Sequence, residues 1–237
     1  MFPIGPASQD TALDKDTALD QHDSDRRLAL TFASTVPGYF SPDQLAVLAD
    51  FTEGAITRSR GPILEIGSYC GRSTVIIGTM AQRHHRRFIT VDRHLGSIEM
   101  QPPFPYFDPA IIDRVHGRLD SISVLMDTLE LAGLREWVTV MVTPSQVLTH
   151  LLRPGFSMIM IDGGHDALST WTDYLCAIAL LADDGTLVID DVFEDPSRGG
   201  RPPFEVMTAA LHSGFTLVER SGPLVALRRT TAPSFAR

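Results

Sequence analysis

Short apolar runs constrain this chain most. Residues 63–67, 88–92, 138–142, 156–162 and 186–191 are each of strand length and rich in Ile, Val, Leu, Met and Phe. Between them lie stretches of helical spacing: residues 72–82, a segment ending near Gly133, and residues 169–181. A strand that is apolar on both faces must be covered on both faces. Such strands alternating with helices predict an α/β fold, with a doubly wound, mostly parallel sheet between two helical layers. A helix over residues 204–212 is followed by a last strand pair, 215–219 and 224–228, joined at Ser221, Gly222 and Pro223. So short a turn makes one strand antiparallel near an edge, and the sheet is expected to have seven strands.

The ends of the chain read differently. Residues 1–25 are acidic and carry the pentapeptide Asp-Thr-Ala-Leu-Asp twice between Asp10 and Asp20. Too little apolar surface is available there to offset ordering, so this segment is expected to be a disordered tail before a domain over 26–237. Leu28, Leu30 and Phe32 lead to a loop at 36–40. Ser41 as N-cap, Pro42 and Asp43 then open a helix. Residues 93–106 interrupt the alternation with three prolines and the aromatic residues Phe104 and Tyr106, and are expected to form a lid.

Composition excludes several classes. No apolar run reaches the ~18 residues of a membrane span. The first residues show no basic stretch followed by an apolar one, so no secretory signal is expected. Two cysteines, Cys70 and Cys176, cannot make a disulfide framework, and a reducing cytoplasm is the expected compartment. A net charge of −9 argues against a nucleic-acid partner. The expected partner is a small molecule, with self-association into a homo-oligomer left open.

Two constellations carry chemistry. In the first, Glu65, Gly67, Ser68, Tyr69, Gly71 and Ser73 lie where the first strand turns into a helix. Glycines there let a ligand approach the backbone, and the helix start presents free N–H groups. The spacing is Gly-x-x-x-Gly, which does not meet the dinucleotide fingerprint. Asp92, 25 residues after Gly67, ends the second strand, where an acid can accept ribose hydroxyls. In the second constellation, Asp162, Gly163, Gly164, His165 and Asp166 follow the fourth strand, and Asp190 and Asp191 end the fifth. Neighbouring strands lie ~4.8 Å apart, so these carboxylates can meet at one ion. Their oxygens favour Mg²⁺, Mn²⁺ or Ca²⁺ over zinc. Asp190 and Asp191 can share that ion only if the strand has ended or bulged, because successive strand side chains oppose one another.

Glu65, Gly67 and Gly71 after the first strand, Asp92 after the second and the closing strand pair together resemble the class I S-adenosylmethionine (SAM)-dependent methyltransferases. The resemblance spans roughly residues 45–229 and implies a Rossmann-like methyltransferase fold. It implies that Gly67 to Gly71 face the methionine part of SAM, Asp92 the ribose and Ser145 the adenine. Glu65, Ser68, Tyr69, Ser73 and Asp162 complete the expected cofactor set. The Asp-Gly-x-His pattern with paired aspartates resembles the metal-dependent sugar O-methyltransferases of the macrocin and mycinamicin type. The mycobacterial enzymes acting on methylmannose polysaccharide precursors are a close alternative. The resemblance implies Mg²⁺ on Asp162, Asp190 and Asp191, and His165 as the base that deprotonates a sugar hydroxyl. Tyr39, His94, Tyr106 and Asp166 are candidate acceptor contacts. Competing readings are a catechol-type O-methyltransferase, a nicotinamide-dependent oxidoreductase and a SAM sensor without turnover.

Overall fold

The computed structural model describes residues 10–230 except Pro105 and Gly199. In chain order the elements are α1 (Asp10–Ala33), α2 (Pro42–Arg58), β1 (Ile63–Ile66), α3 (Arg72–Arg83) and β2 (Phe88–Asp92). A short hairpin, β3 (Ile112–Asp113) and β4 (Arg118–Leu119), precedes α4 (Ile122–Leu131), β5 (Val138–Val142) and α5 (Leu148–Leu151). The chain continues through β6 (Phe156–Ile161), α6 (Ala167–Leu180), β7 (Leu181–Ile189), α7 (Pro202–His212), β8 (Phe215–Ser221) and β9 (Leu224–Arg229).

The main sheet has seven strands in the order β5-β2-β1-β6-β7-β9-β8. β5, β2, β1, β6 and β7 pair in parallel, and β9 is antiparallel to both β7 and β8. This is the doubly wound α/β architecture that the apolar runs predict. Side-chain alternation divides its core. Ile63, Met158, Met160 and Val188 pack on one face with α1 to α4. Leu64, Ile66, Ile159, Ile161, Leu187 and Ile189 pack on the other with α5 to α7. β1 and β6, at the centre, are buried throughout.

α1 departs from expectation. It runs back into the segment expected to be a disordered tail, as far as Asp10; residues 1–9 lie outside the described residues. Its last turns bury Ala29 and Ala33 in the core with α2 and α3. Arg26 fastens it to α2 by an ion pair to Asp50 at 2.6 Å and a hydrogen bond to the Ala46 carbonyl at 3.0 Å. Leu28, Leu30 and Phe32 lie on this helix, which ends at Ala33 and gives way to the expected loop at 36–40. α2 opens as expected, with the Gln44 amide donating to Ser41 Oγ at 3.2 Å and the Ser41 amide to Gln44 Oε1 at 2.9 Å. The insertion after β2 also runs further than residues 93–106. It includes the β3–β4 hairpin and ends only where α4 begins at Ile122. Val36, Cys70, Ile111 and Leu119 form a small core beneath it.

No helix among the described residues is long and apolar enough to cross a membrane.

Candidate functional site

The C-terminal ends of the parallel strands open onto two adjoining cavities. β1 delivers Gly67 there, and its backbone lies close to the end of β6. A Cβ on Gly67 would sit 2.0 Å from the Asp162 carbonyl oxygen, and its φ is +94°, so only glycine serves. The following turn is pinned by Asp92. Its Oδ2 accepts from the Ser68 and Tyr69 amides at 3.0 and 2.8 Å, and its Oδ1 from the His94 amide at 2.8 Å. Tyr69 (φ 46°), His94 (φ 59°) and Asp191 (φ 55°) all hold left-handed backbone conformations around this site. Such conformations are uncommon for residues other than glycine and gather where function requires a fixed geometry.

The first cavity has a volume of about 410 Å³. Gly67, Tyr69 and Asp92 line one part of it, and Ser145, Gln146, Asp166, Ser169 and Asp173 another. Ser145 Oγ donates to Asp173 Oδ1. Burial raises the Asp173 carboxyl to about 6, against the lowering effect of that hydrogen bond. The second cavity, about 360 Å³, is walled by Tyr39, Phe40, Tyr106 and Phe193, with Glu99, His165, Asp190 and Asp191 among its polar groups. Tyr39 Oη donates to the Tyr106 carbonyl at 3.0 Å, and its ring stacks on Tyr69 at 5.9 Å. Asp162, Gly163, Tyr69, Ser97 and Met100 border both cavities, so a group passing from one to the other meets these residues.

β7 ends at Ile189, and the left-handed Asp191 follows. The strand has therefore ended before the paired aspartates, as a shared ion requires. Burial, the mutual repulsion of Asp162, Asp190 and Asp191, and nearby acids push the Asp162 carboxyl well above the carboxylate range. Asp190 is raised by burial and then by Asp191. Burial raises Asp191, partly offset by His165. Asp190 Oδ1 is buried with no hydrogen-bond partner. His165 Nε2 lies 3.2 Å from Asp191 Oδ2, and Nδ1 3.4 Å from Glu99 Oε1. Among the described residues no three His, Cys, Asp or Glu side chains already form a ready metal site. The donor chemistry nevertheless fits a hard cation: clustered carboxylate oxygens, one of them orphaned.

Several expected site residues lie elsewhere. Glu65 borders neither cavity. It shares the sheet face of Ile63, where strand alternation directs it towards α3, and its Oε2 accepts from Thr74 and Thr90 hydroxyls at 2.7 Å each. Gly71 borders neither cavity and caps α3. Ser68 and Ser73 border the second cavity, not the first. His94, expected at the acceptor, is buried behind the wall with Nδ1 2.8 Å from Ser121 Oγ. Burial lowers its pKa. Asp166 caps α6 by accepting from the Ser169 amide at 3.1 Å and borders the first cavity rather than the second. Glu99 and Asp173 escaped the sequence reading. Glu99 sits in no motif. Asp173 shares a helical face with Asp166 and Ser169, a periodicity that could have exposed it.

Residues 64–192, more than half of the chain, match the methyltransferase domain family. The chain belongs to that family. This methyltransferase is similar in fold to the solved structure of the O-methyltransferase NovP, with a TM-score of 0.66 and 14% identity over 90% of this chain and 99% of that one. SAH-bound PaMTH1 from Podospora anserina aligns at a TM-score of 0.60 and 14% identity, over 98% and 100% of the two chains. TomG from Streptomyces achromogenes, an O-methyltransferase involved in tomaymycin synthesis and solved with SAM, aligns at 0.55 and 18% identity over 95% and 92%. At these identities the likeness concerns the fold. The match begins at Leu64 in β1 and ends at Val192, so it includes the glycine turn, Asp92 and all three clustered aspartates.

Proposed function

We propose that this methyltransferase is a SAM-dependent, Mg²⁺-assisted O-methyltransferase acting on a hydroxyl of a small polyhydroxylated acceptor, a sugar or oligosaccharide. The observation that carries this reading is the meeting of two cavities at Asp162 and Gly163, with the His165 imidazole and the paired Asp190 and Asp191 lining the second cavity and not the first. The larger cavity suits the methyl donor, since its glycine turn and Asp92 are the groups that a ribosyl methionine ligand needs. Support for SAM also comes from SAM-bound TomG and SAH-bound PaMTH1, and support for oxygen as the acceptor atom from NovP and TomG.

SAM would supply an electrophilic methyl group, and Mg²⁺ on Asp162, Asp190 and Asp191 a charge that makes a nearby hydroxyl more acidic. Asp92 holds the glycine turn by its three amide contacts and has one acceptor site left, on Oδ1, for a ribose hydroxyl. Ser145, held by Asp173, borders the opposite part of that cavity. His165 Nε2 receives the proton of the acceptor hydroxyl as general base. Tyr39, Phe40, Tyr106 and Phe193 provide apolar faces on which a sugar ring packs and which keep water away. Holding donor and acceptor in register accounts for much of the rate.

The same aromatic walls also suit a catechol. Incubation with methyl-labelled SAM and Mg²⁺, against a panel of saccharides and catechols, decides between them. Label in a saccharide supports the proposal. Label in catechols alone replaces its acceptor class, and label in neither removes the O-methyl reading.

A further inference from the structure

Glu99 belongs to a short 3₁₀ turn, Ile98–Met100, in the insertion after β2. It is remote in sequence from His165, yet one of its oxygens serves that residue twice. Oε1 accepts from the His165 backbone amide at 3.3 Å and lies 3.4 Å from the ring Nδ1. Two contacts tie the turn behind it to its surroundings. Gln101 Nε2 donates to the Leu95 and Ser97 carbonyls at 3.1 and 3.4 Å, and Met100 packs on the small core formed by Val36, Cys70, Ile111 and Leu119. His165 itself follows two glycines, Gly163 and Gly164, a link with little stiffness of its own. Its other nitrogen, Nε2, borders the second cavity and lies 3.2 Å from Asp191 Oδ2, but out of hydrogen-bond geometry, so that Glu99, which also takes the backbone amide, is the carboxylate that fixes the residue.

We propose that Glu99 is the positioning residue of His165, tying the insertion to the base: its carboxylate holds the proton of the neutral ring on Nδ1 and so keeps Nε2, at the cavity edge beside Asp191, as the nitrogen that takes a proton. A base oriented by a third group at its remote nitrogen is a general arrangement in proton-transfer sites. Glu99 takes no proton. The acceptor hydroxyl proton goes to Nε2 while Nδ1 keeps its own. The role rests on the proposed function of His165, but the geometry is testable without any acceptor.

The test uses full-length protein labelled with ¹⁵N at histidine, with ring correlations recorded in mildly alkaline buffer and His165 assigned by its loss in His165→Gln. The wild type should show the Nδ1-protonated tautomer. Glu99→Ala should move His165 towards the Nε2-protonated form and speed exchange of its backbone amide. Glu99→Gln, which keeps an acceptor oxygen, should retain both properties. A tautomer unaltered in Glu99→Ala overturns the proposal, whether or not transfer is found. With whichever saccharide or catechol the wild type methylates, Glu99→Ala should lower kcat about 10–100-fold. KM and SAM affinity should hold, and Glu99→Gln should recover part of the loss. A loss confined to KM would assign Glu99 to acceptor binding and overturn the positioning role. Absence of wild-type transfer would sink the O-methyl reading and leave the tautomer result standing.

Discussion

Glu65 shows how one residue can fit a motif and serve another purpose. As the acid two places before Gly67 it reads as a ligand group, but strand alternation points it into the core with Thr74 and Thr90. Burial raises its carboxyl from 4.5 to about 7, against the lowering effect of hydrogen bonds from Thr90, Thr74 and Ser73. The folded protein therefore keeps a proton that the unfolded chain has already released. Stability from this group is complete below the unfolded value and is lost as pH rises towards 7. Glu65→Gln removes the titration. The fall in Tm between pH 4.5 and 7 should be smaller in the variant than in the wild type, and equal falls would mean that Glu65 is ionised in the fold. Asp92 is legible by position but does more than a ribose contact, since three backbone amides depend on it. Asp92→Ala should weaken SAM binding by tenfold or more, measured by calorimetry, with faster exchange of the Ser68 and Tyr69 amides. Unchanged affinity would remove it from the donor site. His165→Ala should leave SAM affinity intact and slow transfer by about 10²–10⁴-fold, the share of a general base. Wild-type turnover in that variant would place the base elsewhere.

Element by element, the sequence is most legible where burial is two-sided. β1, β2, β6 and β7 declare themselves because strands covered on both faces are mostly apolar, with Glu65 and Thr90 as buried exceptions, and β5, partly exposed at the sheet edge, is legible from its valines and methionine. The turn at Ser221, Gly222 and Pro223 likewise announces the β8–β9 pair. α1 was less legible because its amphipathic signal is weak: Leu28 is exposed, and only the small residues Ala29 and Ala33 are buried in its last turns. Small buried residues leave little apolar periodicity to read. The insertion was legible as an interruption but not as a structure, for its order comes from Met100, Ile111 and Leu119 meeting Val36 and Cys70 from distant segments. Contacts of that kind have no local sequence signature. The same holds for Glu99, which acquires its partner only when the insertion docks. Acceptor binding should protect residues 96–104 from hydrogen exchange, because Ser97, Glu99 and Met100 border the second cavity. Identical exchange with and without acceptor would show that the insertion is a fixed wall.

At the scale of the whole molecule, the sheet gathers chemistry from distant parts of the chain at the carboxyl ends of its strands. β1 and β2 deliver the glycine turn and Asp92 to one cavity, whereas β7 delivers Asp190 and Asp191 to the other. The end of β6 stands between them, and Asp162 alone of the three aspartates borders both cavities. This division predicts separable losses. Chelation by EDTA should abolish methyl transfer and added Mg²⁺ restore it, while SAM affinity survives because the donor cavity does not depend on Asp190 or Asp191. Asp191→Ala should reproduce chelation: transfer lost, SAM affinity within about twofold of wild type. Asp162→Ala should lose both, since the carboxylate is shared and the turn carrying Gly163 follows it. Calorimetry with SAM and a label-transfer assay, run on the same three proteins, read the two losses independently. If SAM affinity falls equally in Asp162→Ala and Asp191→Ala, the cavities act as one site and the carboxylates serve the donor. If transfer persists after Mg²⁺ has been demonstrably removed, the aspartates have a structural role, and His165 with its neighbours carries the proton transfer without metal assistance.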